Sequence, residues 1–400
     1  MSFNPASAIQ DLLVFGEFGD VNPSVTDSVT YTFLSPQRME EAFEHEIEGC
    51  FLYSRHWNPI NRYLSQALAA MEGTEMAQVT ASGMSAIAST ILQLCATGDE
   101  IVSGRTIYGG TYALFKNLLP RLGITTRFVD ITNLDALTKA VTPKTRVLYA
   151  ETESNPLLEI ADIPALASFA RAHGLKLVVD NTFTPMIISP AKLGADVVVY
   201  SLTKFANGTA DAVAGCICST TELVRELTDV NSGACMLFGP VLDSLRAASL
   251  LKNLHSLHVR MRKHSDNALA LATWLKGRGL RVHYPGLADH PQHALFSRLK
   301  HAGIGYGGMM TLDVSEATTA RELMRVMQEE LVGYLAVSLG YFKTLFSAPG
   351  SSTSSEIPPA EKAAMGLSDG LIRFSVGLDD DIGRTLTRLE KSLQRCKLLA

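Results

Sequence analysis

Short apolar segments alternate with segments of helical periodicity through the middle of the chain. The apolar segments predict strands, which lie at Ala77–Thr80, Glu100–Ser103, Thr125–Val129, Arg146–Ala150, Lys176–Asp180 and Asp196–Ser201. Helical patterns separate them, for example at Gly83–Cys95 and around Pro164–Ala172. Strands this apolar need cover on both faces, which is typical of a mostly parallel sheet with helices on either side. Such a sheet binds its ligands at the carboxyl ends of its strands.

The pattern differs at the two ends of the chain. Residues 1–57 show no clear period, and we expect an N-terminal arm there. The C-terminal part predicts two long helices and two strands, at Pro240–Leu257, Met261–Lys276, Gly308–Val314 and Leu371–Val376. We therefore predict an α/β protein with a large domain at 58–255 and a smaller α+β domain at 256–400.

Composition narrows the classes of partner. The 400 residues carry a net charge of −5 without a basic cluster, so neither nucleic acid nor an anionic membrane is an expected partner. The uncharged segment Met76–Gly98 contains too many hydroxyl and amide groups to span lipid. No basic start of a signal peptide precedes Arg38, and six cysteines are too few for a disulfide scaffold. We therefore expect a cytoplasmic protein, and the scattered His and Cys residues predict no metal site.

The clearest candidate for chemistry is Lys204. It ends the segment Ser201-Leu202-Thr203-Lys204, directly after an apolar strand. One interpretation is a solvated lysine in a loop. The other is an amine whose pKa is lowered by burial for Schiff-base formation, with the hydroxyls of Ser201 and Thr203 facing a phosphate.

A second candidate, Asp180, closes another predicted strand. Taken alone, an acid at this position is typical of a turn or a helix cap. Pyridoxal 5'-phosphate, however, needs a lysine for its aldehyde and a carboxylate that keeps its pyridine nitrogen protonated. Lys204 and Asp180 together therefore predict this cofactor.

Two further segments suit anionic groups. Ser82, Gly83 and Met84 stand where a strand turns into a helix, and small residues there let backbone amides approach a phosphate. Arg373 lies between apolar residues of a predicted strand. Its guanidinium is expected to point into a cleft, where it can bind a carboxylate through two parallel hydrogen bonds.

From about Tyr53 to Leu389 the chain resembles the Cys/Met-metabolism family of pyridoxal-phosphate enzymes, which includes methionine γ-lyase, cystathionine γ-lyase and cystathionine γ-synthase. The matching stretches are Tyr53-Ser54-Arg55, VTASGM at 79–84, Ile107-Tyr108-Gly109, ETESNP at 151–156, VVDNTF at 178–183, SLTK at 201–204, VSLG at 337–340 and LIRFSVGLD at 371–379. The resemblance implies a fold-type I architecture, pyridoxal 5'-phosphate as cofactor, and a homo-oligomer, usually a tetramer of two intimate dimers.

The resemblance also implies roles at matching positions. Lys204 would hold the cofactor, Asp180 would pair with its pyridine nitrogen, and Tyr108 would stack on its ring and serve as a catalytic acid. The residues assigned to the phosphate are Ser82, Gly83, Met84, Ser201 and Thr203, joined by Tyr53 and Arg55 of the neighbouring subunit. The residues assigned to the substrate's α-carboxylate are Arg373, Asn155 and Ser338.

Three departures from the family pattern fall near the distal end of the substrate. Gly110 stands where methionine γ-lyases typically carry cysteine, and Lys343 stands where cystathionine enzymes typically carry an acid. Thr353 belongs to a rebuilt segment at 348–354. These residues are our candidates for recognising the leaving group, which is linked through sulfur or through oxygen, with canavanine among the oxygen-linked compounds.

The implied reaction is elimination of the γ-substituent of an L-amino acid through a vinylglycine-type intermediate. γ-Replacement, as in cystathionine γ-synthase or O-acylhomoserine sulfhydrylase, uses the same intermediate and stays open as an alternative. A non-catalytic binding protein of the same fold is a third interpretation. The presence of Lys204, Asp180, Tyr108 and Arg373 disfavours it.

Overall fold

The computed structural model describes residues 3–13, 19–44, 47, 49–351, 362 and 365–399. The strands are β1 (Met76–Thr80), β2 (Glu100–Gly104), β3 (Thr125–Val129), β4 (Thr145–Glu151), β5 (Lys176–Asp180), β6 (Val197–Ser201), β7 (Gly215–Ser219), β8 (Arg281–His283), β9 (Met309–Asp313), β10 (Tyr334–Leu335), β11 (Leu345–Ser347) and β12 (Leu371–Ser375).

The helices alternate with these strands. They are α1 (Pro5–Gln10), α2 (Pro36–Glu44), α3 (Pro59–Glu72), α4 (Gly83–Leu94), α5 (Gly109–Ala113), α6 (Leu134–Ala140), α7 (Ile163–Ala172), α8 (Thr221–Thr228), α9 (Ala234–Phe238), α10 (Ser244–Leu254), α11 (Leu257–Lys276), α12 (His293–Leu299), α13 (Ala317–Glu329) and α14 (Ile382–Arg395). Shorter helical turns lie at Leu114–Leu118, Leu119–Leu122, Pro190–Leu193 and Pro349–Ser351.

The larger sheet has seven strands in the order β1-β7-β6-β5-β4-β2-β3. Its five strands from β6 to β3 run parallel, which confirms the predicted parallel core. Strand β7 runs antiparallel to both β6 and β1. No helix separates β6 from β7 in sequence, so the chain returns beside β6 in the opposite direction instead of making a helical crossover.

Both faces of this sheet are buried. In β6, Val198 and Tyr200 pack into one core, whereas Val197 and Val199 pack into a second core on the opposite face. Helices α3, α7 and α10 contribute to the first core, and α4 and α5 contribute to the second. This two-sided burial explains why the strands read as uninterrupted apolar segments.

The smaller sheet has five strands in the order β10-β11-β12-β9-β8. Helices α11, α13 and α14 share a separate hydrophobic core with its strands β9, β11 and β12. This arrangement confirms the predicted smaller α+β domain in the C-terminal part of the chain. The helix predicted at Pro240–Leu257 is shorter, because Gly239 ends α9 with a φ of +64° and Asp243 caps α10.

The N-terminal segment is more regular than predicted. It contains α1, which Asn4 caps, and α2, which has no buried residue. Ala6, Ile9 and Leu12 pack against the core of the larger domain, so the arm begins on the surface of its own chain. Among the described residues, none of the helices is both long and apolar enough to cross a membrane.

Candidate active site

A cavity of about 560 Å³ opens where β4, β5 and β6 end. The predicted site residues that line it are Ser82, Gly83, Met84, Tyr108, Gly110, Asn155, Asp180, Ser201, Thr203, Lys204, Ser338 and Arg373. They come from both domains, since Ser338 and Arg373 belong to the part of the chain that forms the smaller sheet. The cavity therefore lies at the carboxyl edge of the parallel strands, as expected for this class of sheet.

Lys204 follows β6 in a short turn, where its amide donates to the Ser201 carbonyl at 3.3 Å. Its Nζ donates to Ser338 Oγ at 2.9 Å. Burial, together with the charge of Arg373, lowers the pKa of Lys204 to about 8. A substantial fraction of this amine is therefore neutral near physiological pH, which is the form that attacks a carbonyl carbon.

Two carboxyl groups lie side by side at the ends of neighbouring strands. Asp180 of β5 is paired in register with Glu151 of β4, and both side chains reach the cavity. Burial raises the pKa of Asp180, while Thr182, whose amide donates to Asp180 Oδ1 at 2.9 Å, opposes this shift. Burial, and the negative charge of Asp180 after it, raise the pKa of Glu151. A cation bound beside Asp180 would favour its ionised form.

Glu151 was absent from the residues predicted from sequence. Its Oε1 accepts the Tyr108 amide at 2.7 Å, and its Oε2 accepts the Asn155 amide at 2.9 Å. It therefore fixes two segments that carry predicted site residues. The available signal was the alternation in ETESNP, because a strand-like period of two places Glu151, Glu153 and Asn155 on one side of the chain. All three line the cavity.

The start of α4 forms a cradle that suits an anion. Ser82 and Ser85 cap the helix reciprocally, each hydroxyl accepting the other residue's amide at 3.0 Å. The amides of Gly83 and Met84 precede any intrahelical partner and lie at the positive end of the helix dipole. A Cβ on Gly83 would lie 2.7 Å from Ser201 Cβ, so only glycine lets α4 approach the end of β6 this closely.

Arg373 of β12 projects into the cavity and is itself buried. Its Nη1 donates to Asn155 Oδ1 at 2.8 Å, and burial lowers its pKa to about 10. The guanidinium therefore stays charged at neutral pH. Asn155 holds one hydrogen-bonding edge of the guanidinium, and a carboxylate that reaches this buried group would be bound strongly.

The other predicted residues lie elsewhere. Lys343 is exposed, does not line the cavity and donates to Tyr334 Oη at 2.7 Å. Its predicted contact with the substrate stays a prediction. Thr353 lies outside the described residues. Tyr53 and Arg55 do not line the cavity of their own chain, and Arg55 Nη1 donates to the Met236 carbonyl at 3.0 Å. Their contact with a neighbouring subunit's phosphate stays a prediction.

The remaining lining residues were also missed. Apolar side chains from both domains form much of the wall, namely Ile87, Phe183, Val213, Val337 and Leu339. Among them lies one more acid, Glu153, which is buried. Within the described ranges, no group of three or more His, Cys, Asp or Glu side chains is placed to hold a metal ion.

The donor set fits pyridoxal 5'-phosphate. The cradle at Gly83 suits the phosphate, because backbone amides at the start of a helix bind phosphate and glycine has no side chain to obstruct them. Asp180 is a buried carboxyl that a protonated pyridine nitrogen would return to its ionised form. Lys204 supplies an amine of lowered pKa for the aldehyde. One cavity therefore contains a matching group for each reactive part of this cofactor.

Comparison with known proteins agrees with this geometry. Residues 12–393 match the family described as Cys/Met metabolism PLP-dependent enzyme. The chain is 45% identical over 399 residues to a methionine gamma-lyase from Arabidopsis thaliana, covering 98% of this chain and 90% of that protein. It is 37% identical over 368 residues to an O-succinylhomoserine sulfhydrylase from Pseudomonas aeruginosa, covering 91% and 88%.

A solved structure extends the agreement to the whole fold. The cystathionine gamma synthase from Xanthomonas oryzae pv. oryzae, in complex with aminoacrylate and cysteine, superposes with a TM-score of 0.89 at 30% identity. The match covers 100% of each chain. The fold-type I architecture expected from the sequence is thereby confirmed.

Proposed function

Because the chain belongs to the Cys/Met-metabolism family of pyridoxal-phosphate-dependent enzymes, we propose that it is a γ-lyase, which eliminates the γ-substituent of an L-amino acid. The observation that carries this proposal is the single cavity that contains Lys204, Asp180 and Arg373. It combines an amine, a carboxylate and a carboxylate-binding guanidinium. Relatives named methionine gamma-lyase and cystathionine gamma-lyase support elimination as the outcome.

Arg373 binds the α-carboxylate of the substrate, with Asn155 fixing the orientation of its guanidinium. Lys204 lies in the same cavity, and Ser338 contacts both the lysine and the arginine. Bound here, pyridoxal phosphate supplies the electron sink that stabilises negative charge at Cα. Lys204, with its pKa of about 8, is suited to accept the α-proton.

Asp180 and Tyr108 complete the assignment. Asp180 would keep the pyridine nitrogen of the bound cofactor protonated, and its burial would strengthen this pairing. Tyr108 lines the cavity, and its backbone is held by Glu151. We assign its hydroxyl to donate a proton to the departing γ-atom, which improves that atom as a leaving group.

γ-Replacement is the second candidate function. The relative from Pseudomonas aeruginosa is named a sulfhydrylase, and the superposed Xanthomonas structure is a γ-synthase. Lys204, Asp180 and Arg373 serve both reactions equally well. The two differ in whether water or a thiol completes the turnover.

A substrate panel tests the proposal. Methionine, homocysteine, cystathionine, O-acylhomoserines and canavanine are each incubated with the holoenzyme, and the 2-oxo acid and ammonia are measured with and without added thiol. A γ-lyase releases 2-oxobutanoate without a thiol. Thiol-dependent formation of a new thioether, with little 2-oxobutanoate, would replace elimination by γ-replacement as the function. Lys204→Ala provides the blank.

We also propose a cytoplasmic homotetramer in which two chains complete each site. Leu237 and Phe238 are 55% and 70% exposed. They follow Met236, whose carbonyl accepts a hydrogen bond from Arg55 of the same chain. Helix α2 has no buried residue in the single chain and exposes the apolar side chains of Met39 and Phe43, which a second copy would cover. The six free cysteines fit a reducing compartment, which supports the cytoplasmic location in this proposal. Sedimentation of the holoenzyme tests the assembly: a dimer would contradict the tetramer, and a monomer would contradict the shared site as well.

A further inference from the structure

Glu153 borders the active-site cavity, yet the roles assigned above do not involve it. The residue follows β4, and only 2% of its surface is exposed. In the part of the chain that the structure describes, neither of its carboxyl oxygens has a hydrogen-bond partner. Burying a carboxyl group without a donor is unfavourable, so such a group calls for an explanation in function.

The other charged groups of the cavity differ from Glu153 in this respect. Lys204 donates to Ser338, Arg373 donates to Asn155, and each oxygen of Glu151 accepts a backbone amide. Asp180 accepts the amide of Thr182. Glu153 therefore stands out as a hydrogen-bonding group that the described chain leaves without a partner.

Apolar side chains and backbone atoms border Glu153, and none of them donates to its carboxyl group. A Cβ added to Gly307 would lie 3.8 Å from Glu153 Oε2 and 3.6 Å from Ile187 Cδ1. Phe183 lines the same cavity. Burial raises the pKa of Glu153, and a cationic N–H donor beside it would favour the ionised form. The carboxyl thus offers a strong acceptor in a low-dielectric region.

The protein residues assigned above account for all but one of the functional groups of the cofactor and substrate. The phosphate has a partner at Gly83 and the pyridine nitrogen at Asp180. The aldehyde has one at Lys204, and the α-carboxylate has one at Arg373. The group that remains is the γ-linked portion of the substrate. We propose that Glu153 determines specificity by accepting N–H bonds from this portion, so that preferred substrates carry a guanidine-like or amine group there.

This inference rests on the proposed γ-elimination and names its substrate class. For a guanidinooxy substrate such as canavanine, the Cγ–O bond breaks with its electron pair on oxygen, which takes up a proton. Water then completes the balance, giving 2-oxobutanoate, ammonia and hydroxyguanidine. A thioether such as methionine offers no N–H donor at that position and leaves Glu153 without a partner.

The first test separates recognition from chemistry. Arginine and norleucine carry CH₂ where canavanine has oxygen and methionine has sulfur, so neither can lose its γ-substituent. Their inhibition constants are measured against turnover by wild-type holoenzyme, Glu153→Gln and Glu153→Leu. We expect arginine to bind at least about ten-fold more weakly to Glu153→Leu, with norleucine changed less than about two-fold, because a charge-assisted contact is lost. Glu153→Gln, which keeps one acceptor, should fall between.

The second test uses the substrates themselves. The ratio of kcat/KM for canavanine to that for methionine should fall about ten-fold or more in Glu153→Leu. The matched control is Glu226→Leu, which removes an exposed acid that does not line the cavity and should leave the ratio unchanged. If Glu153→Leu does not fold, Glu153→Gln still has to lower the ratio, because it removes the charge while keeping the shape.

The outcomes distinguish this inference from the proposed function. Equal weakening of arginine and norleucine, or an unchanged substrate ratio with normal elimination, would overturn the role of Glu153 while leaving γ-elimination intact. Tighter wild-type binding of norleucine than of arginine would also overturn it. If no amino acid of the panel loses its γ-substituent, the proposed function fails. In that case arginine binding is measured by the change in cofactor absorbance. Selective weakening of arginine binding in Glu153→Leu would still support Glu153 as the acceptor for the guanidinium.

Discussion

Lys204 Nζ donates to Ser338 Oγ at 2.9 Å, and this bond joins the two domains at the reactive amine. Lys204 follows the last parallel strand of the larger sheet, whereas Ser338 lies between β10 and β11 of the smaller one. Ser338 has a φ of +103°, a region that non-glycine residues rarely adopt. The position of the amine therefore depends on packing between domains as well as on its own strand.

The lowered pKa of Lys204 predicts how cofactor attachment depends on pH. Because burial and Arg373 place this pKa at about 8, the neutral amine prevails above pH 8 and is depleted below it. The rate at which apoenzyme regains visible absorbance with pyridoxal phosphate should therefore rise with pH and reach half its maximum at about pH 8. Lys204→Ala should give no such band and no turnover while keeping the wild-type circular dichroism.

A simple alkylamine under the same conditions controls for titration of the cofactor itself. Arg373→Met should move the midpoint to higher pH, since it removes a positive charge that disfavours the ammonium form. A wild-type midpoint close to that of the free alkylamine would contradict the predicted shift.

Glu151 should act as a positioning residue for Tyr108 and Asn155. Glu151→Leu removes both acceptors and should lower kcat/KM about hundred-fold, whereas Glu151→Gln keeps one acceptor and should lower it about ten-fold. Thermal unfolding of both variants shows whether they still fold. The two variants losing activity equally, or Glu151→Leu retaining wild-type kcat/KM, would exclude this role.

A side chain at Gly110 should disturb Tyr108. A Cβ there would lie 2.5 Å from Tyr108 Cε1 and 3.3 Å from Met84 Sδ, so the ring has to move. Gly110→Ala and Gly110→Cys should each lower kcat/KM by about ten-fold or more, since a displaced acid contributes less to catalysis. The same change made in Tyr108→Phe should have a much smaller effect, because the affected hydroxyl is already absent. Additive losses would show that Gly110 acts independently of Tyr108.

Arg55 should act on the site of a neighbouring subunit. Losing one charge-assisted phosphate contact in Arg55→Ala should weaken cofactor binding by about ten- to hundred-fold. Mixing Arg55→Ala with Lys204→Ala should restore activity to about a quarter of the wild-type level, because half of randomly mixed dimers regain one intact site. Arg121→Ala, an exposed arginine, serves as the matched control. No gain above the separate variants would contradict a shared site.

The sequence by itself determined the architecture of the larger domain and the central site residues. Uninterrupted apolar strands require a sheet that is covered on both faces, which is typical of a parallel sheet. In a parallel sheet the residues that end the strands lie at one edge, where ligands bind. Asp180 and Lys204 were identifiable for this reason, because Asp180 ends one buried strand and Lys204 lies in the turn after another. Arg373 was identifiable because a charge within an apolar strand needs a polar opening.

Only the tertiary structure decided the roles of Glu151, Glu153 and Lys343. An acid after a strand is typical of a turn, and nothing local shows whether distant backbone amides will reach it. The turn at Tyr108 supplies such an amide to Glu151, whereas Gly307 and Ile187 bring no donor to Glu153. Lys343 donates to Tyr334 and does not line the cavity. Tyr108, Ile187 and Gly307 lie far in sequence from the acids that they adjoin, so their positions follow from the tertiary fold and not from any local pattern.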